Sequence, residues 1–153
     1  MKKIMMVVLL CAAGAYAEEY PGGWSHNNMN SLFGVQYSTR LTESSFAGVP
    51  SFNPVRDPLP LDIATVSRMT VDWLARRFEG QPSWLSDPRW FVRSIALENI
   101  HDDLWVYKVL CRVGSGEEDA ASGEQFCVVV LADGAVVEPV VSEQSDRFFD
   151  FTV

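Results

Sequence analysis

Side chains suited to catalysis or metal binding are scarce in this sequence. Among 153 residues there are two histidines and three cysteines, and the Cys-x-x-Cys spacing of redox-active pairs does not occur. Two histidines give little support to a Ser-His-Asp arrangement. The sequence also lacks a phosphate-binding glycine loop and a dinucleotide-binding fingerprint. We therefore expect no catalytic residues, no metal site and no cofactor.

Long apolar segments and an excess of positive charge are missing too. No stretch after position 17 is apolar over the roughly 20 residues that cross a bilayer, so no membrane span is expected there. The 12 Lys and Arg residues are outnumbered by 20 Asp and Glu residues, which gives a formal net charge of −8 at pH 7. Because an acidic surface repels phosphate backbones, nucleic acid is not an expected partner.

Residues 1–17 have the pattern of a secretory signal peptide. Two lysines follow the first methionine, residues 4–13 are an apolar run, and residues 15–17 are the small-x-small triplet Ala-Tyr-Ala. The apolar run is too short for a membrane anchor. Cys11 suggests a lipoprotein as an alternative, although Leu10 stands where a lipoprotein signal has a small residue.

Cleavage after Ala17 defines the expected mature chain. It leaves residues 18–153, which are enough for one domain with a core. It also removes both N-terminal lysines, so the formal net charge changes from −8 to −10. We predict an exported protein, either periplasmic or secreted.

Residues 18–60 predict one strand between two irregular segments. Residues 18–31 are rich in Gly, Asn and Ser and are interpreted as a flexible N-terminal lead-in. Residues 33–42 alternate between apolar and polar side chains, which is the period of a strand with one buried face. Residues 43–60 contain four prolines and predict an irregular connector.

Residues 62–79 have the periodicity of an amphipathic helix, with an apolar stripe on one side and charged residues on the other. Asp62 can cap the first turn, and Gly80 can end the helix.

The rest of the chain predicts a sheet. Four segments are rich in β-branched and aromatic residues and are separated by turns: residues 89–100, 103–113, 124–132 and 135–141. Asp133-Gly134 is a strong hairpin signal between the last two. We predict an α+β fold in which one amphipathic helix packs on an antiparallel meander of four to five strands, in a single domain covering residues 32–153. This arrangement is similar to cystatin-like folds, as an analogy of fold only.

Cys111 and Cys127 lie symmetrically about the predicted loop at residues 114–123. An unbulged hairpin would place them directly opposite each other, at a separation that a disulfide tolerates. In an exported protein we therefore predict a disulfide between them. The alternative is two reduced cysteines that pack as small apolar residues.

Aromatic residues gather on the predicted strands and just before them. If they were exposed together they would form a platform for a glycan or a peptide: Trp84, Trp90, Phe91, Trp105 and Tyr107. The alternative is that they belong to the core. His101, Asp102 and Asp103 are adjacent and are interpreted as a polar turn, because neighbouring residues rarely all point at one metal ion. His26 is interpreted as a solvated loop residue.

These features favour a non-catalytic exported protein of the bacterial envelope that binds a protein or glycan partner through loops and a sheet face. A cystatin-like protease inhibitor is an alternative, with Gly22-Gly23 as its N-terminal glycine. Residues 99–103 and 132–135 take the places of its two hairpins, without the Gln-x-Val-x-Gly or Pro-Trp motifs. A small isomerase- or dehydratase-like pocket enzyme is a second alternative, with Glu98 or Asp72 as the inward acid.

Overall fold

The computed structural model describes residues 9–11, 18–20, 23–120 and 123–142. Within these ranges, the elements follow one another in this order: β1 (Leu9–Cys11), β2 (Glu18–Tyr20), β3 (Gly23–Leu32), β4 (Val35–Thr42), a 3₁₀ helix (Glu43–Phe46), α1 (Ile63–Arg77), β5 (Arg89–His101), β6 (Leu104–Gly114), α2 (Glu117–Ala120), β7 (Gln125–Val130) and β8 (Val140–Val141). The predicted α+β class is confirmed. The strands belong to two sheets and not to one.

The main sheet has the strand order β1-β5-β6-β7. β5, β6 and β7 are antiparallel neighbours in chain order, as the meander prediction requires. β1 pairs with β5 in parallel, from Leu9 to Cys11. β1 lies inside the predicted signal peptide.

The second sheet has the order β2-β3-β4-β8, and all of its pairs are antiparallel. β3 and β4 form a hairpin closed by Phe33 and Gly34, which have φ values of 51° and 77°. Positive φ at both central residues is what a two-residue hairpin loop of the favoured twist needs.

The prediction of a flexible lead-in at residues 18–31 is wrong for residues 23–31, which belong to the long strand β3. Asn is a poor strand former, so the Asn- and Ser-rich composition of this segment did not indicate a strand. Alternate β3 residues from Trp24 to Leu32 turn inward, and those between them are mostly exposed. Pairing with β4 and burial of this inner face therefore override the local preference.

Two segments assigned to the meander lie elsewhere. β4 pairs within the second sheet, and residues 135–141 provide only a single bridge from Val136 to Val130 before β8 pairs with β4. The tight turn predicted at Asp133-Gly134 is present, since the Gly134 N–H donates to the Leu131 carbonyl at 2.9 Å. Pro139 cannot donate a ladder hydrogen bond, which explains why a continuous fourth strand does not follow.

Helix α1 forms where the sequence predicts it. The Asp62 carboxylate accepts the Thr65 N–H at 2.8 Å and caps the first turn. Val66 and Leu74 are buried on the inner side and belong to the larger core cluster, together with side chains of β5, β6 and β7. The connector at residues 43–60 contains the 3₁₀ helix and is otherwise irregular, as its prolines predict.

A second core cluster lies at one end of the main sheet, on the other face. Leu41 and Phe46 pack there against Val106, Val129 and Leu131. The β3–β4 hairpin contributes to both clusters, since Leu32 and Tyr37 of the same hairpin join the larger one.

Candidate functional site

The five aromatic residues of the proposed platform do not share an exposed surface. Trp90 and Tyr107 are buried in the larger core, and Phe91 and Trp105 are partly buried. Only Trp84, with 71% of its surface exposed, is open to solvent. The alternative interpretation, that most of these residues are core, fits their positions.

Tyr107 has a structural role that depends on its hydroxyl. The hydroxyl donates to the Leu61 carbonyl at 2.9 Å and accepts the Leu61 N–H at 3.1 Å. It therefore fixes the end of the proline-rich connector to the main sheet just before α1 begins.

The two cysteines are free, and the predicted disulfide is not formed. The register pairs Cys111 with Phe126 and Leu110 with Cys127, one residue away from the symmetric pairing. A shift of one residue turns the two side chains to opposite faces of the sheet. This register buries the Phe126 ring at 5.5 Å from the rings of Tyr37 and Phe78, which explains why it is adopted.

Neither thiol is activated. Burial raises the pKa of Cys111 far above its ordinary value. Burial also raises the pKa of Cys127, although the nearby Lys108 ammonium and Asn28 amide act in the opposite direction. Because the thiolate is the nucleophile, both cysteines are poor nucleophiles at neutral pH.

The structure brings together a polar cluster that we define as His26, Asn28, Glu98, Lys108 and Cys127. Lys108 Nζ donates to Glu98 Oε2 at 2.7 Å, and His26 Nε2 lies 3.7 Å from Glu98 Oε1. The side chains of Glu98 and Lys108 are 13% and 25% exposed. The cluster therefore lies where β3 covers the main sheet, and its carboxylate is already paired.

Strand geometry explains how the polar cluster forms. Glu98 and Lys108 come from the adjacent strands β5 and β6, and they project from the face opposite α1. His26 and Asn28 are two residues apart on β3, so both belong to its inner face. The Asn28 amide nitrogen is buried without a hydrogen-bond partner.

An open groove lies at a different place, beside the turn between β5 and β6. It has a volume of about 760 Å³ and is lined by Thr42, Glu43, Ser44, Phe46, Ala47 and Leu104. Its wall combines hydroxyl groups, one carboxylate and apolar side chains. Such a mixed wall suits binding, with apolar contact for affinity and a few polar groups for orientation.

Aromatic rings pack near Phe46, one of the residues that line this groove. The Trp24 indole lies 5.1 Å from the His101 ring in a stacked arrangement and 5.7 Å from the Phe46 ring. The β5–β6 turn directly follows His101, and its Asp103 pairs with Arg56 at 3.1 Å. We call this region the loop end: residues 23–24, 42–47, 52–57 and 101–104.

The polar-turn interpretation of residues 101–103 fits their placement. Across the described ranges, no three His, Cys, Asp or Glu side chains come close enough to hold a metal ion. Glu98, one of the two acids that the pocket-enzyme alternative would use, lies in the polar cluster. Asp72 lies on the exposed side of α1, beside a smaller groove.

Sequence reasoning missed His26 and Lys108 as members of a cluster. His26 was assigned to a lead-in, and Lys108 is one polar residue inside an apolar strand. The inward spacing of Trp24, His26 and Asn28 is a period-two signal that could have identified β3. The packing of β3 against the main sheet is a long-range contact that no local pattern reveals.

Neither a protein-family model, nor a curated protein, nor a solved structure matches this chain. Among the described residues, no helix has the length and apolar character needed to cross a membrane.

Proposed function

We propose that this chain is an exported, non-catalytic protein of the bacterial envelope whose loop end binds a protein or glycan partner. The observation that carries the proposal is the open groove of about 760 Å³ between the 3₁₀ helix and the β5–β6 turn. Export is proposed from the signal-peptide pattern of residues 1–17.

The loop end places polar and apolar side chains together around the groove. Close to the groove in the chain, the Trp24 and His101 rings stack and Asp103 pairs with Arg56. Val55, in the adjoining connector, is 79% exposed. Exposed apolar surface beside the polar groups of the groove suits contact with a partner.

The chemistry of the polar cluster also favours binding over catalysis. Glu98 is neutralised by Lys108, the cluster lies between β3 and the main sheet, and the Cys127 thiol is kept protonated by burial. A general base needs a free lone pair within reach of the substrate. The cluster instead joins β3 to the main sheet.

The proposal is tested by filling the groove. Ala47→Trp places a large side chain at an exposed groove position, and Ala75→Trp places the same side chain on the exposed side of α1 as a matched control. Soluble peptidoglycan fragments and a peptide library are titrated into the ¹⁵N-labelled exported protein. We expect shifts at residues 42–47 and Leu104, lost in Ala47→Trp and kept in Ala75→Trp.

Two results would contradict this proposal. One is binding that shifts resonances away from the loop end and survives Ala47→Trp. The other is turnover of an envelope substrate that disappears in a variant such as Glu98→Gln, which would favour the pocket-enzyme alternative. Inhibition of papain-like proteases at micromolar concentration would favour the cystatin-like alternative.

A further inference from the structure

β5 has an edge whose only partner among the described residues is β1. One side of β5 pairs with β6, and on the other side Ala96, Leu97 and Glu98 pair with Leu9–Cys11 in parallel register. β1 lies within the signal-peptide segment that we propose is removed on export. The mature chain would therefore keep the β5 edge without its partner strand.

This edge has little protection in its middle. Register shifts occur between Val92 and Ser94 and between Asn99 and His101, and such irregularities discourage pairing at both ends of the strand. Between them, residues 94–99 pair regularly with β6. The one charged side chain in that segment, Glu98, is turned to Lys108 and leaves no free charge to repel another strand.

The opposite edge of the main sheet is closed by the chain itself. The Asn30 side chain bonds the backbone of Cys127, donating to its carbonyl at 3.2 Å and accepting its N–H at 3.1 Å. Val137 N–H donates to the Val129 carbonyl at 2.9 Å, and the Leu131 N–H donates to the Ala135 carbonyl at 2.9 Å. The β7 edge of the main sheet is therefore covered by other parts of the chain, whereas the β5 edge is paired only with β1 among the described residues.

We propose that, once residues 1–17 have been removed, the β5 edge at residues 95–98 binds an extended apolar segment of a partner polypeptide by strand addition. This rests on the proposed export. The occupant's chemistry is taken from β1, whose sequence Leu-Leu-Cys is an apolar, uncharged strand seated on this edge. In strand addition the main-chain hydrogen bonds provide the affinity, so the partner is recognised by an extended apolar stretch.

The test measures backbone amide hydrogen exchange in the protein purified after export from the full chain. The probe is a synthetic peptide of residues 4–13 carrying Cys11→Ser and two added lysines at each end for solubility. We expect the exchange of the outward amides among residues 95–98 to slow by roughly tenfold or more at saturating peptide. The control peptide, N-methylated at Leu9 and Leu10, keeps its side chains but loses these backbone donors and is expected to give no protection.

Two outcomes overturn the inference: unchanged exchange at residues 95–98 with the unmodified peptide, or equal protection by the N-methylated peptide. Protection that is already present without peptide, together with a dimer in sedimentation, would assign the edge to a second copy and also overturn it. Recovery of a chain that still begins at Met1 would instead contradict the proposed export. The two failures are therefore distinguishable.

Discussion

The Asn30 side chain bonds backbone groups of β7 that a neighbouring strand would normally bond. Its side-chain amide has one donor and one acceptor group, and they meet the Cys127 carbonyl and N–H at 3.2 and 3.1 Å. Buried backbone groups that lose their partners carry the full cost of desolvation. A single side chain on β3 therefore protects the edge of the main sheet and fixes the hairpin against it.

Asn30→Ala is expected to lower the free energy of unfolding by about 1–3 kcal/mol, because two backbone groups of Cys127 lose their partner. Asn27→Ala, on the exposed side of the same strand, is the matched control and should change it by less than about 0.5 kcal/mol. Urea unfolding followed by tryptophan fluorescence measures both. Equal losses in the two variants would show that Asn30 does not close this edge.

His26 makes folding stability depend on pH. Burial between β3 and the main sheet lowers the pKa of the imidazole below its ordinary value near 6.5, with Glu98 acting against this shift and Lys108 adding to it. The unfolded chain therefore takes up the proton at a higher pH than the folded chain does. Stability should be constant with respect to His26 above about pH 6.5 and fall as the pH is lowered below it.

His26→Gln should flatten this dependence. We expect the urea midpoint of the unmodified protein to fall between pH 6.5 and 5.5, and that of the variant to fall less. His101→Gln is the control, because His101 is the other histidine of the chain and lies at the turn. The same slope in His26→Gln as in the unmodified protein would contradict the burial of a neutral imidazole.

At the scale of strands, the register of β6 against β7 determines whether Cys111 and Cys127 can form a disulfide. Because Asn30 bonds the Cys127 N–H and carbonyl from outside, these groups point away from β6, and Leu110 and Cys127 form a non-hydrogen-bonded pair. Side chains of such pairs approach closely. Cys111, one residue further along, projects to the other face.

Leu110→Cys is therefore expected to form a disulfide with Cys127 under mild oxidation, whereas the unmodified protein keeps both thiols. Peptide mapping by mass spectrometry without reductant identifies the bond, and Cys111→Ser in the same background excludes the third thiol. A Cys111–Cys127 bond in the unmodified protein would show that the strands adopt the symmetric register.

Local sequence signals predicted the elements whose pattern lies entirely within one continuous segment. The stripe and cap of α1, the alternation of β4 and the chain order of β5, β6 and β7 are of this kind. Asn30 looks like a loop residue in the sequence, because its hydrogen-bond partner is the Cys127 backbone on β7, distant in sequence. The register could not be predicted either, since the burial of Phe126 against Tyr37 and Phe78 decides it.

The distinction between local patterns and long-range contacts also explains which features of the candidate site the sequence did not reveal. The groove is formed by residues 42–47 and Leu104, which are far apart in sequence and share no motif. Glu98 was recognised as a possible inward acid, but its pairing with Lys108 depends on which residues face each other across two strands. The alternation along a strand indicates on which face of the sheet each residue lies. It does not indicate which charged residue lies opposite on the neighbouring strand.

At the scale of the whole molecule, the proposed export links the N-terminal pattern to the proposed binding edge of β5. The chain is acidic, with a formal net charge of −8, and net charge of this size favours solubility. The proposed removal of residues 1–17 would change it to −10. The proposed removal of residues 1–17 would take away β1, which pairs with β5 and not with residues 42–47 or Leu104 of the groove.

The most direct measurement is the intact mass and N-terminal sequence of the protein recovered from the periplasm or the medium after expression of the full chain in a bacterium. We predict a chain whose first residue is Glu18. A chain that stays in the cytoplasm, or that is recovered with Met1 and the apolar run intact, would contradict the export on which this account depends.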